Sequence, residues 1–321
     1  MHSVKIIGAG QLGSRHLQAL HAVKTPLHIE VIDPSAASLA VARERYEALG
    51  GNSIHHINFL PKLSGGQPTD IVIVATSSNV RSKVVEELLS VSSVKFAVLE
   101  KLLFDVREDY AAVAGLLDGS ATRAWVNCPM RVMPAYEKIR ANLQGAPVSY
   151  RVTGSQFGLV TNAIHYVDHL SHLTGCTDYE LYTDGLDKTP IPSKRAGFLE
   201  FNGTLVARFA DGSQLEVACY PNGSAPVVVE IFNATQRYIV KESEGKLWSS
   251  SEATGWAWQD EAAPIPYQSQ ITATVVESLL ATGECGLAPY SVSAKLHLAL
   301  LDPLLAVVQI ETPKAISFQF T

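Results

Sequence analysis

The chain of 321 residues is poor in charge, with 17% Asp, Glu, Lys and Arg. Its 25 basic residues form no block and the net charge is −6, so the basic face of a duplex-binding protein is missing. No long polar tract interrupts the 47% hydrophobic content, which argues against disorder. The four cysteines, Cys128, Cys176, Cys219 and Cys285, include no C-x-x-C pair. That spacing excludes a zinc ribbon, predicts no metal site and fits a reducing cytoplasm. The opening MHSVKIIGAG has no leader-like apolar stretch, and no run reads as a membrane span. What is present is apolar chain in excess of one ordinary core, which predicts two domains.

From residue 3 to about 127, short β-rich runs alternate with amphipathic segments. The runs are Val4–Ile7, His28–Ile32, Ile71–Ala75, Ala97–Glu100 and Ala124–Asn127. Between them Gly10–His21, Ala36–Leu49, Val80–Val91 and Asp105–Leu117 follow a helical period. Such alternation predicts a parallel sheet with helices on both faces. After a Pro-punctuated helix, Met133–Leu143, the pattern changes to strands: Val148–Gln156, Leu199–Phe209, Gln214–Tyr220, Val227–Phe232 and Arg237–Lys241. Asn202-Gly203, Asp211-Gly212 and Asn222-Gly223 read as hairpin turns. Helices are expected at Ile164–Leu173, Gln270–Ala281 and Ser291–Val308. The fold class is an α/β N-terminal domain over residues 1–127, then an α+β domain over 128–321 with an open, mainly antiparallel sheet.

Residues Gly8, Gly10 and Gly13 form G-x-G-x-x-G between the first strand and the first helix. Glycine permits the tight turn at Gly8, the approach of a pyrophosphate at Gly10 and close helix packing at Gly13. Free N–H groups of the helix start, around Gln11, Leu12 and Gly13, then hold phosphates. Asp33 ends the second strand, 20 residues past Gly13, where a carboxylate accepts ribose hydroxyls and repels a 2′-phosphate. The pattern predicts NAD rather than NADP. Ala75, Thr76, Ser77, Ser78 and Asn79 follow a later strand, at the ligand-bearing end of a parallel sheet; the same run can cap a helix. Glu100 and Lys101 end another strand. Lys101 can donate to a substrate hydroxyl and steady an alkoxide, with Glu100 holding its ammonium; a solvated surface pair is the plainer reading.

Four stretches resemble the glucose–fructose oxidoreductase / myo-inositol dehydrogenase family, known as Gfo/Idh/MocA. They are Gly8–His16, Ala75–Asn79, Glu100-Lys101, and Ile164–Leu170 followed by Leu173-Thr174-Gly175, in family order across most of the chain. The resemblance implies a Rossmann domain and a second domain whose open sheet often forms the oligomer interface, here in a homodimer or homotetramer. It implies a sugar, cyclitol or nucleotide-linked sugar as substrate, while the charge and hydropathy above point to neither nucleic acid nor membrane as partner. It further implies Lys101 as a substrate-binding and catalytic residue and His165 as the general acid/base.

His165 and Asp168 stand at i, i+3 and share a helix face, so the carboxylate can orient the imidazole, or merely satisfy it at the core edge. His169 and His172 read as surface positions. The family's dehydrogenases carry an Asp four residues before the histidine; here Thr161 stands there, beside Asn162. Neither is an acid or base; family members with other polar pairs at this place act on nucleotide-linked sugars, so the resemblance implies such a substrate, with Asn162 on a sugar hydroxyl. Asn127 ends the last parallel strand, near the expected nicotinamide. Arg131 is placed either on a substrate carboxylate or phosphate or in an interdomain salt bridge, Arg151 is a further polar candidate, and Tyr136 is read as packing. Two other activities fit the same residues: sugar chemistry with NAD retained and no net redox, and a non-catalytic NAD-binding sensor.

Overall fold

A computed structural model describes residues 1–50, 54–143, 145–187 and 189–321. The chain divides into two compact units, Met1–Pro129 with Pro266–Ser291, and Met130–Ile265 with Val292–Thr321. The expected division at residue 127 is corrected in one respect. A segment expected in the second domain belongs to the first unit, because its helix packs along the first helix of the chain.

The first unit begins β1 (His2–Ile7), α1 (Gln11–Leu20), β2 (Leu27–Ile32), α2 (Ala36–Glu47), β3 (His56–Leu60), β4 (Thr69–Val74), α3 (Ser78–Val91), β5 (Val94–Leu99), α4 (Arg107–Gly119) and β6 (Arg123–Val126). In the second unit follow α5 (Pro134–Leu143), β7 (Ser149–Ser155), α6 (Leu159–Thr174), β8 (Tyr179–Tyr182), β9 (Ile191–Pro192), β10 (Leu199–Glu200), β11 (Gly203–Phe209), β12 (Gln214–Tyr220), β13 (Val228–Phe232), β14 (Gln236–Lys241), β15 (Lys246–Ser251) and β16 (Gln259–Ala262). Then α7 (Gln268–Thr282) and β17 (Ala288–Pro289) belong to the first unit, and α8 (Tyr290–Glu311) runs into the second.

The first sheet has the order β17-β6-β5-β4-β1-β2-β3, parallel except for β17 on β6. Val4, Ile6, Val31, Ile71 and Val74 are fully buried, as strands covered on both faces require. The edge strand β3 had no counterpart in the sequence reading. Its residues His56-Ile57-Asn58-Phe59-Leu60 are half-buried or exposed, so it lacks the apolar run of a central strand.

The second sheet has the order β16-β15-β14-β13-β7-β12-β11-β8 and is antiparallel except for β7 on β12. Val152, Leu205, Val217, Val229 and Ile231 alternate inward and are buried. Of the three predicted hairpin turns, Asp211-Gly212 is one: it joins β11 to β12, with Gly212 at φ +91°. Asn222-Gly223 is not, because β7 lies between β12 and β13. Asn202-Gly203 instead breaks a predicted strand. Gly203, at φ +100°, starts β11, while β10 pairs with β9 outside the large sheet.

Helix α6 starts five residues before its predicted start, so Thr161 and Asn162 lie in its first turn. Almost all of it is buried. His169, expected at the surface, is fully buried, and its Nδ1 meets Tyr150 Oη at 2.8 Å. Burial holds the His169 ring well below the ordinary histidine value, and the nearby His172 and Arg131 act in the same direction. His172, also expected at the surface, is half-buried and meets Glu137 at 2.8 Å. Tyr136 is packing, as read, and its hydroxyl also donates to Glu242 at 2.5 Å.

Asp168 is fully buried and takes a forked contact from Arg131, Nε to Oδ2 at 2.6 Å and Nη2 to Oδ1 at 2.9 Å. Burial pushes the Asp168 carboxyl up, and the guanidinium pulls it part of the way back. In α8, the span Tyr290–Ile310 is long and apolar enough to cross a membrane by length and composition, which the sequence reading did not register. Leu296, Leu300, Leu301 and Leu304 on it are fully buried in the protein.

The forked pair supplies a stability test. Asp168→Asn strands the Arg131 guanidinium without its counter-charge, and a loss of about 3–5 kcal/mol is expected in urea unfolding. Replacing both partners with apolar residues is expected to cost much less. Equal losses from the single and double changes would show that the charge is not what holds the pair.

Candidate active site

The glycine loop has the geometry its sequence predicts. Gly8 sits at φ +95°, and a Cβ there would lie 2.9 Å from the Thr76 nitrogen. A Cβ on Gly13 would lie 1.7 Å from the Gly8 carbonyl oxygen, so α1 packs on β1 as only glycine allows. At Gly10 a Cβ would meet nothing within 4 Å. The close packing is at Gly8 and Gly13; the space is at Gly10. No side chain caps α1, which leaves the N–H groups of Gln11, Leu12 and Gly13 directed out of the helix start. Asp33 is anchored by Ala9 N at 2.7 Å to Oδ2 and Ser35 N at 2.8 Å to Oδ1, and a carboxylate has acceptor sites beyond these two. These features fit a dinucleotide: open backbone for the pyrophosphate and a fixed carboxylate for the ribose. Arg45 of α2, which the sequence reading missed, reaches Gln11 Oε1 at 2.7 Å and Ser14 Oγ at 2.6 Å.

Ala75 extends β4, its N–H donating to Ile7 at 2.7 Å. Ser77 holds the N-cap position of α3 but makes no side-chain cap; its hydroxyl turns to Asn79 Oδ1 at 2.7 Å. The hydroxyl of Thr76 is buried and has no hydrogen-bond partner among the described residues. The capping reading of this run is thereby weakened. A buried hydroxyl without a partner fits a ligand-facing edge.

Glu100 is 3% exposed and the centre of a network. Its Oε1 accepts from His16 Nε2 at 2.8 Å and Asn127 Nδ2 at 2.6 Å. His16 Nδ1 meets Thr272 Oγ1 at 2.8 Å, and Asn127 also donates to Gln268 at 2.9 Å. Burial works to raise the Glu100 carboxyl, but the bonds from His16 and Asn127, with the charges of His16 and Arg81, hold it below its ordinary value. Glu100 Oε1 and Asn127 Nδ2 thus tie the ends of β5 and β6 to α1 and α7, next to the half-buried Lys101. Arg81, 1% exposed, donates to Leu102 and Thr76 and, at 2.6 Å, to Leu103. His16 was legible: it falls with Gly13, Leu17 and Leu20 on the buried face of α1. Thr272 and Gln268 carried no such signal.

In the second unit His165 is half-buried on α6. Asp168, expected to orient it, accepts from Arg131 through both carboxylate oxygens. Arg131 is thereby bound to a carboxylate of its own unit, so this ion pair is not an interdomain bridge. Arg151 lies exposed on the sheet, paired with Glu216 at 2.8 Å. Asn162 donates through Nδ2 to the carbonyls of Phe157 at 2.6 Å and Gly158 at 3.0 Å. Thr161 Oγ1 donates to Glu200 Oε2 at 2.7 Å, with Thr321 O at 3.0 Å. Glu200 also receives Val160 N at 2.6 Å and Thr161 N at 3.2 Å, so it caps α6 from β10. A cavity of about 480 Å³ opens beside this turn, lined by Phe157, Gly158, Thr161, Arg195, Glu200 and Asn202 among others.

No protein-family model matches the sequence, and no curated protein matches it. Solved structures share the fold over nearly its whole length. The UDP-N-acetylglucosamine 3-dehydrogenase GnnA from Acidithiobacillus ferrooxidans is 17% identical, covers 95% of this chain and 98% of its own, and superposes with a TM-score of 0.70. An oxidoreductase from Agrobacterium radiobacter, in complex with NAD+, L-tartaric acid and magnesium, is 16% identical over 93% of this chain and 94% of its own, at 0.72. The super-repressor mutant of Gal80p from Saccharomyces cerevisiae is 11% identical over 97% and 96%, at 0.71. The chain therefore has the fold that its resemblance to the glucose–fructose oxidoreductase / myo-inositol dehydrogenase family implied: an α/β parallel-sheet unit and a mainly antiparallel second one.

Two outcomes test the first unit. Gly10→Ala is expected to keep the melting temperature of the cofactor-free protein and to weaken NAD binding at least tenfold by calorimetry; Gly13→Ala is expected to lower the melting temperature sharply. Unchanged NAD affinity in Gly10→Ala would remove the cradle reading. Glu100→Gln is expected to cost about 1.5–3 kcal/mol at pH 7. The folded value of Glu100 lies below the ordinary 4.5, so its contribution is present above pH 4.5 and lost as pH falls through the lower folded value. The gap between wild type and variant should narrow there, as followed by urea unfolding at a series of pH values.

Proposed function

We propose that this chain is an NAD-dependent oxidoreductase acting on a secondary alcohol or ketone of a sugar or nucleotide-linked sugar, with Lys101 and His165 at the reacting centre. The observation that carries the reading is the glycine loop: open backbone at Gly10, an uncapped helix start and the anchored Asp33 carboxylate. The Asp33 charge favours NAD over NADP. NAD, when bound, takes or gives the hydride. Lys101 donates to the substrate oxygen and steadies its charge as the C–O bond order changes. His165 takes the hydroxyl proton in oxidation and returns it in reduction. Asn162 Oδ1 accepts from a neighbouring sugar hydroxyl. The fold shared with a UDP-sugar 3-dehydrogenase supports a nucleotide-linked sugar. A homo-oligomer built through the open face of the large sheet belongs to the same proposal.

A second reading, a non-catalytic NAD-binding sensor, is favoured by the shared fold with a repressor. The two separate on turnover. UDP-sugars and free sugars are screened for thermal stabilisation of the NAD-loaded protein, and the best is assayed for NADH formation. Lys101→Ala and His165→Ala are each expected to lose at least about 100-fold in kcat/KM and to keep NAD affinity within threefold. Normal turnover in both variants overturns the site assignment, and stabilisation without turnover in the wild type supports the sensor.

A further inference from the structure

Helix α6 carries His165 near its N-terminal end, and the carboxylates around it differ in one respect. Asp168, on the helix, is neutralised by Arg131 at 2.6 Å. Glu137, from α5, faces His172 at 2.8 Å and Arg140 at 3.8 Å. Glu216, from β12, faces Arg151 at 2.8 Å. Glu242, in the turn after β14, receives the Tyr136 hydroxyl, and burial raises it toward its neutral form. Glu200, from β10, has no cationic partner among the described residues. Lys194 and Arg195 line the same cavity but pair with no carboxylate there; Arg195 donates to Thr321 Oγ1 at 2.7 Å. Cys219 of β12 is a buried thiol raised by burial, and the remaining imidazole of the helix, His169, is held neutral in the core.

Glu200 is 6% exposed and accepts from the N–H groups of Val160, Thr161 and Phe201 and from the Thr161 hydroxyl. One of those bonds comes from the Thr161 hydroxyl. Thr161 and His165 are at i, i+4, so they are neighbours on one face of α6. A carboxylate without a cationic partner on the preceding turn favours the protonated form of a nearby imidazole.

We infer that Glu200 is a positioning residue which, through Thr161 and the first turn of α6, raises the proton affinity of His165 so that it can exchange a proton near neutral pH. The inference rests on the reading of His165 as the acid/base, but its test needs no turnover. The His165 ring is titrated by NMR in the NAD-loaded full chain, with His165→Gln to assign its signals. Glu200→Gln removes the charge and keeps one of the two acceptor oxygens that Val160 and Thr161 use. The His165 midpoint is expected to fall by about 0.5–1 pH unit. Thr161→Asp/Glu200→Gln returns a carboxylate to the same turn and is expected to bring the midpoint back to the wild-type value. A midpoint unmoved in folded Glu200→Gln overturns the inference. Should Glu200→Gln lose helix content, the double variant decides: a wild-type midpoint supports the inference, and a lowered one overturns it. Turnover surviving in His165→Ala would sink the proposed function while leaving this coupling measurable.

Discussion

A carboxylate removed from water must be met by donors, and three such groups organise this molecule. Glu100 draws in His16 from α1 and Asn127 from the end of β6, which in turn hold Thr272 and Gln268 of α7. Asp168 draws in Arg131. Glu200 draws in the first N–H groups of α6. In each case the charge ties together segments far apart in sequence. Apolar burial makes the two sheets, and these polar knots decide where the strand ends and helix ends come to rest.

The consequence for chemistry is a division of labour. The carboxylates beside the proposed reacting groups bond elsewhere: Glu100, next to Lys101, accepts from His16 and Asn127, and Asp168, one turn from His165, accepts from Arg131. In the first unit the groups with unspent capacity are the loop backbone at Gly10, the further acceptor sites of Asp33 and the buried Thr76 hydroxyl.

Much of the first unit was legible because its signals are local. Val4–Ile7 running into Gly8, and Ile29–Ile32 running into Asp33, state strand, turn and acid within a few residues of each other. Where the signal was weak the reading failed: β3 is a half-exposed edge strand, and Asn222-Gly223 looks like a hairpin turn although β7 lies between the strands it joins. The second unit was less legible because its sheet is ordered by pairings between distant segments.

By itself the sequence determined the alternation of strands and helices, the glycine cradle and the acid that follows it. Each depends on spacing along the chain and on the conformational freedom of glycine. It also placed His165 on a helix. Only the tertiary structure decided which partner each charge takes. Asp168, three residues from His165, belongs to Arg131, while Glu200, 39 residues from Thr161, supplies the carboxylate at the turn before His165. The reason is physical: buried charge is satisfied by whatever donor the fold brings within 3 Å, and separation along the chain has no part in that choice.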